Sequence, residues 1–418
     1  MLKIIAPSKA LVKFFFMLNL SMSKPQREHA LNTMETLIMC ESRKTISNLN
    51  RTICDSTDQS AMSDFFTYSP WENDTVRRQT IKSLIRWSVE QNQLQMFQPT
   101  VIISIDDSLA RKPKESKHFD TVDWHHDAHG QKQLAHGLSF MTCHIQIGDV
   151  SIPINYRIYL KAETIRKLNR KYRNKQKIKF ATKIELAKEM LEEIAEHLPQ
   201  EFKIYVLFDS WYAAKKLIKY CRANGWHVIC ALKSNRKFNG KKLARIARHI
   251  RHRRFTKTIV NSADSVSIYW VYEKIGRING LDEEVKVFIS KRHRSDKFGE
   301  FFLCTDTEMS ARQALSFYTK RWAIEVDYLY LKTRLGLEDF RLRSYKGIVK
   351  FMQLVFLTLQ YLHWRIHEEH SPPVKKLTDV IALHRTQQWQ NTLFSFAHQV
   401  LKHRSIKIPV DNFLAKAA

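Results

Sequence analysis

Between residues 99 and 235, apolar runs of strand length come in an order that few sheets can accommodate. "TVIISID" is a β-branched strand entered from Pro99. "GLSFMTCHIQIG" and "SIPINYRIYL" follow as strands, with Gly148 and Asp149 as the hairpin turn between them. A basic loop then leads into "TKIELAKEMLEEIAEHL", whose apolar residues recur at helical spacing. "FKIYVLFD" is a strand, "AAKKLIKYCRANG" a helix ending at Gly225, and "WHVICALK" a strand. Three strands, helix, strand, helix, strand predicts an α/β fold. Its sheet is mixed, antiparallel at the start and continued by βα units, with helices on both faces.

The rest of the chain divides around that block. Residues 1–22 read as an N-terminal extension. Their run Phe14 to Leu20 is signal-like but short and lacks a cleavage site, and Met22 is an alternative beginning of the fold. Residues 23–98 read as helices with almost no strand pattern. Residues 99–235 are the first part of the core, and residues 236–305 a β-rich insertion opened by the basic helix "KKLARIARHIRHRRF". Residues 306–371 return to helices as the second part of the core. After Pro372 and Pro373, residues 372–418 form a short helical tail. "FMQLVFLTLQYLHW" is interrupted by Gln353 and Gln360 and is too short to span a bilayer, so no membrane is expected as partner.

Two acids end strands: Asp106 in "IISIDDS" and Asp209 in "YVLFDSW". In an open α/β sheet a crevice forms at such strand ends. Carboxylates from adjacent strands can hold divalent cations there through hard oxygen donors. Either acid alone can equally be a turn former, and Asp209 precedes a helix that it could cap. A third acid comes from "SFYTKRWAIEVDYLYLK", read as a helix. In it Tyr318, Arg321, Glu325 and Lys332 are spaced by 3, 4 and 7 residues. At about 100° per residue they share a face roughly 60° wide. A glutamate beside an arginine fork and a lysine point charge suits a metal site that binds phosphate. The plainer reading is a solvated face with an Arg321–Glu325 pair at i, i+4. Trp322 reads as core.

In this order the four residues resemble the Y-x2-R-x3-E-x6-K motif of DDE transposases, in the insertion-sequence-four superfamily of bacterial mobile elements. "RWAIE", "LGLEDFRLRS", "IDDS" followed by Lys112, and "LFDSWYAAKKL" are similar too, over roughly residues 60–370. The resemblance implies an RNase H-like catalytic core with a β-rich insertion before the glutamate helix. The acids then carry over as the catalytic, metal-binding set Asp106, Asp209 and Glu325, with Asp107 the alternate for the first. It implies Mg²⁺, with Mn²⁺ as substitute and two ions per site. It also implies cut-and-paste chemistry, in which water frees a 3′-hydroxyl at the element's end and that hydroxyl attacks target DNA. Tyr318, Arg321 and Lys332 would hold DNA-end phosphates, and Trp270 offers a base-stacking platform, against its plainer role as a packed strand aromatic. The partners implied are terminal inverted repeats and target DNA, bound by a homodimer in a bacterial cytoplasm. The alternatives are a nuclease of the same fold that cuts without strand transfer, and a non-catalytic DNA-binding regulator.

Charge agrees with a polyanionic partner: 69 Lys+Arg against 41 Asp+Glu give +28, spread along most of the 418 residues. The runs "RKLNRKYRNKQKIKF" and "KSNRKFNGKKLARIARHIRHRRFTK" suit a phosphate backbone. Six cysteines without a C-x-x-C pair read as buried thiols. "DWHHDAHG" sets His125, His126 and His129 close together, but no cysteine or fourth ligand lies nearby to complete a zinc site.

Overall fold

A mixed sheet with helices on both of its faces organises the molecule, and a computed structural model describes residues 4, 6–53, 58–92, 100–126, 134–173, 177–261, 266–368 and 374–403. The chain opens with α1 (Lys9–Met17), α2 (Lys24–Met39), α3 (Ile46–Arg51), α4 (Gln59–Thr67) and α5 (Asn73–Asn92). The core follows as β1 (Thr100–Arg111), β2 (Asp123–His126), β3 (Leu134–Ile147), β4 (Val150–Tyr159), α6 (Ala162–Tyr172), α7 (Lys183–Ala195), β5 (Lys203–Phe208), α8 (Lys215–Ala223) and β6 (His227–Leu232). Next come β7 (Lys237–Phe238), β8 (Lys241–Lys242), α9 (Leu243–His249), β9 (Thr256–Asn261), β10 (Val266–Gly276), β11 (Val285–Lys291) and β12 (Glu300–Cys304). The chain ends with α10 (Ala311–Thr319), α11 (Trp322–Leu329), α12 (Tyr345–Ile366) and α13 (Leu377–His403).

β1 is buried on both faces from Val101 to Ile105, as a central strand must be. It pairs antiparallel with β3 and parallel with β5, β3 pairs antiparallel with β4, and β5 pairs parallel with β6. The order β4-β3-β1-β5-β6 is the RNase H-like arrangement expected from the sequence. The later strands continue the same sheet: β12 pairs with β6, then come β11, β10 and the edge strand β9. The β3–β4 hairpin turns at Gly148, whose φ of +55° suits a residue without Cβ, and Asn92 at the end of α5 clasps it. The Asn92 amide donates to the Ile147 carbonyl at 2.9 Å and its Oδ1 accepts from the Asp149 N–H at 3.2 Å.

Strand parity sorts the two faces. Cys143, opposite Ile105, touches Met190 of α7 at 4.0 Å. On the other face Ile102, Tyr205 and Leu207 pack with Ala314 and Leu315 of α10. α12 lies on that face too, with the Tyr156 ring 4.9 Å from Phe356. Its two glutamines serve the sheet: Gln360 donates to the Pro153 carbonyl at 3.0 Å and Gln353 accepts from the Tyr156 hydroxyl at 3.1 Å. Among the described residues no helix is long and apolar enough to cross a membrane.

Several local expectations change. The segment read as a basic loop contains α6, because Ile165 and Leu168 supply a narrow buried stripe among lysines and arginines. The basic helix is only α9, seven residues long. The tail helix α13 is long rather than short, at 27 residues. Leu11, Phe14 and Phe15 of α1 are buried, Phe14 against Tyr361 and Trp364 of α12. Cys40, Cys143, Cys221, Cys230 and Cys304 are buried free thiols, while Cys54, Pro99, His129, Pro372 and Pro373 lie outside the described residues.

Candidate active site

Asp106 does not end β1, which runs on to Arg111 against β3. It marks instead where β1 leaves β5: the last parallel couple is Ile105 with Phe208, and Asp106 and Asp209 stand one residue beyond it on the two strands. Burial pushes the Asp106 carboxyl up to about 7; Arg321 pulls it back, and Asp209 and Asp107 push it further up. Asp209 Oδ1 accepts the N–H groups of Trp211 and Tyr212 at 2.9 and 3.1 Å, so the turn-forming role is real and occupies one oxygen. Asp107 points to the opposite face, as strand alternation requires. There it accepts from Lys183 Nζ at 2.5 Å and from the Tyr212 hydroxyl at 2.7 Å.

The motif segment is not one straight helix. α10 ends at Thr319, and the N–H groups of Lys320, Arg321, Ala323 and Ile324 bond three residues back instead of four. Such 3₁₀ bonding overwinds the backbone. After α11 the chain widens into a π-helical turn over Tyr330–Arg334, a departure in the opposite sense, and Lys332 is carried there. The tightened turn sets Arg321 between acids from two elements. Its Nη1 donates to Asp106 Oδ2 and its Nη2 to Glu325 Oε1, each at 2.6 Å. Burial works against its charge, but Tyr318, Asp106 and Glu325 outweigh that and hold it protonated. Its Nε is buried and has no hydrogen-bond partner among the described residues. The Tyr318 ring lies 5.7 Å from the guanidinium and packs against Phe302 at 4.8 Å.

Sequence reasoning missed what seats α11. Asp327, two residues after Glu325, is 1% exposed. It accepts from His144 Nδ1 at 2.6 Å and from His363 Nε2 at 2.7 Å, which ties α11 to β3 and α12. Ser151 meets the far nitrogens of both rings, through its hydroxyl for His144 and its carbonyl for His363. Burial pushes the Asp327 carboxyl up, and the two histidines more than offset that, leaving it below its ordinary value. At the next residue, the Tyr328 hydroxyl accepts from Thr142 at 2.9 Å, and Thr142 is the β3 residue opposite Asp106. The acid spaced at i+2 from Glu325 was the only local signal.

The donor set is chemically suited to a divalent cation: carboxylate oxygens at the strand ends, with Asp209 close enough to Asp106 to disfavour its charge. The carboxylates do not make a closed cage. Among the described residues no three His, Cys, Asp or Glu side chains gather as a metal-holding group, and Arg321 supplies the positive charge between Asp106 and Glu325. Trp270 is not part of this cluster. It is half-buried in β10, under the Arg294 guanidinium at 5.1 Å. β10 lies four strands from β5, about 19 Å across the sheet. Trp322, expected in the core, is 63% exposed. His125 and His126 sit on β2, where burial pulls His125 down to about 4.

Two family models match the chain. One, described as DDE superfamily endonuclease, covers residues 17–259, and the other, described as transposase DDE domain, covers residues 181–360. A comparison with curated proteins finds no match.

Proposed function

The chain belongs to the DDE superfamily endonucleases, whose model spans more than half of it, and from that premise we propose that it is a DNA transposase of the insertion-sequence-four type. The family consists of transposase-type nucleases that act by phosphoryl transfer on nucleic acid and normally use a divalent metal. The finer reading is cut-and-paste: cleavage at the ends of an insertion sequence, then transfer of the 3′-hydroxyl into target DNA by two copies of the chain in the cytoplasm. The observation that supports it is that Asp106 and Asp209 stand one residue beyond the last β1–β5 couple, and that the Arg321 fork links Asp106 to Glu325.

Asp106, Asp209 and Glu325 are the residues that would hold Mg²⁺, which we take as two ions replaceable by Mn²⁺. Bound there, such ions activate an attacking oxygen and stabilise a leaving one in an in-line displacement. The chain's own residues prepare this. Arg321 bridges Asp106 and Glu325 and opposes part of the burial that raises the Asp106 carboxyl. Arg321 would also offer its guanidinium to a DNA-end phosphate. Lys332 adds a point charge in the following turn, and the Tyr318 ring backs the guanidinium. Lys183 and Tyr212 hold Asp107 away from the site and so fix the pleat that presents Asp106.

The test compares wild type with Glu325→Gln on DNA carrying the element's own end, with Mg²⁺ or Mn²⁺ and with EDTA. Metal-dependent nicking and end-joining by wild type alone, with DNA bound by both, is the expected result. Equal cleavage by the two proteins overturns the assignment of Glu325. Nicking without joining favours the nuclease, and binding without cutting by either protein favours the regulator.

A further inference from the structure

Beside the far end of β1 lies a groove that the acid site does not use. Two cavities, of about 580 and about 480 Å³, adjoin along it, and Arg43 and Arg341 line both. Arg111 and Arg343 line the larger one, and all four arginines are exposed. Lys112, 7% exposed, forms its floor and donates to the Phe340 carbonyl at 2.7 Å, with its ammonium 3.5 Å from the centre of the Phe340 ring. Burial pulls Lys112 down to about 7, so the charge of the groove rests on the arginines. Gly336, at φ +66° and against the Lys44 side chain, lets the chain turn from the Lys332 segment into this wall.

The groove carries more guanidinium than carboxylate, with Arg43, Arg111, Arg341 and Arg343 against Glu115, Glu338 and Asp339, and among the described residues no acid lines the smaller cavity. Two of its acids are engaged by backbone donors: Asp339 Oδ2 accepts the Lys44 N–H at 3.0 Å and Glu338 Oε1 the Arg111 N–H at 2.9 Å. Glu115 at the rim offsets one charge. Arg43, Arg341 and Arg343 have no carboxylate partner among the described residues. Elsewhere on the surface basic groups do pair, as Lys171 does with Asp120, Lys219 with Asp282 and Arg86 with Glu90. Around the smaller cavity Arg43 and Arg341 stand together with no acid in the lining, and their planar forks match phosphate oxygens.

We propose that this groove holds the phosphodiester backbone of the duplex beside the cut, an inference that rests on the DNA reading above. Arg111 stands five residues beyond Asp106 on the same strand. That is about 17 Å at roughly 3.4 Å per residue. The same length is about five base pairs, or about half a helical turn. A duplex lying along β1 with its scissile phosphate at Asp106 reaches the end of the strand where Arg341 and Arg43 line the groove. The smaller cavity continues past Asn48 of α3 and Ser63 of α4, so the track joins the helical N-terminal region to the catalytic sheet.

The test is equilibrium binding of duplex DNA by the full chain, without divalent metal, over a range of salt. Arg43→Ala/Arg341→Ala is compared with wild type. Arg86→Ala/Lys219→Ala removes the same charge away from the groove. The groove variant should bind about tenfold or more weakly, with the slope of log K against log salt smaller by about 2, one per lost phosphate contact. The control should move the slope by less than half as much, and Arg43→Lys/Arg341→Lys should restore most of it. An unchanged slope, or equal changes in groove and control variants, overturns the proposal. Should the alanine variant melt lower than wild type, the lysine pair and single Arg343→Ala carry the same comparison. Because binding is read without cutting, this result stands or falls separately from the Glu325 comparison.

Discussion

At the scale of single residues, the account rests on how two carboxylates are held. Arg321 is a fork with one prong on β1 and one on α11, which is why an i, i+4 pair that looks ordinary in the sequence becomes part of a site. Asp327 does the complementary work from inside, fixing α11 to β3 and α12 through two imidazoles. Replacing it by asparagine keeps the shape but removes the charge those rings face. Asp327→Asn should therefore be less stable by about 3 kcal/mol in urea unfolding. It should also lose cleavage on end DNA, because Glu325 is no longer seated. Wild-type stability with full activity would contradict this role. The candidate acids and the motif stand out because apolar runs and short spacings are local signals, although β1 runs on past Asp106 to Arg111. Asp327 was not, since His144 lies 183 residues before it in the chain and no spacing rule connects them.

At the scale of elements, the sequence order of strands and helices predicted the central sheet, because its strands are apolar runs or alternating apolar stretches with turn residues between them. It failed where helical register is broken or masked. The motif was read as one helix, but 3₁₀ and π turns, which obey no simple apolar period, split it. The helix α6 hid behind its own charges. Packing between elements also rests on a tie that no local pattern announces. Glu193 of α7 accepts from Arg77 of α5 at 3.0 Å and from Arg157 of β4 at 2.6 Å. Burial pushes its carboxyl up, yet the two arginines outweigh this and hold it at about 2, against an ordinary 4.5. A carboxyl depressed in the folded state adds stability above its unfolded value and loses it as pH falls through the folded one. Wild-type stability from this tie should thus be complete above about pH 4.5 and vanish toward pH 2. Glu193→Gln should cost about 2 kcal/mol near neutral pH after solvent screening. Its profile should be flatter across that window. Parallel profiles for the two proteins would show that the tie carries no net charge effect.

At the scale of the whole molecule, among the described residues one ten-stranded sheet joins the core to the strands that follow it, and α2 and α13 pack on α12 and on each other. Glu35 of α2, 1% exposed, accepts from His384 at 2.6 Å and from Gln388 of α13 at 2.8 Å. The β-rich stretch was legible as strands but not as an extension of the sheet, because Leu303 pairs with Cys230 across a long separation that no hairpin rule covers. The excess of +28 is likewise visible in composition, whereas its gathering into a groove is a property of folding. The central claim is that Asp106, Asp209 and Glu325, drawn from β1, the end of β5 and α11, serve one divalent-cation site. It is tested most directly by loading the protein with Fe²⁺ and, with ascorbate and peroxide, mapping where iron-generated radicals cut the chain. The account predicts cuts clustered around residues 106, 209 and 325 together, suppressed by Mg²⁺ and lost in Asp209→Asn. Cuts elsewhere, or the same cuts in Asp209→Asn, would contradict it.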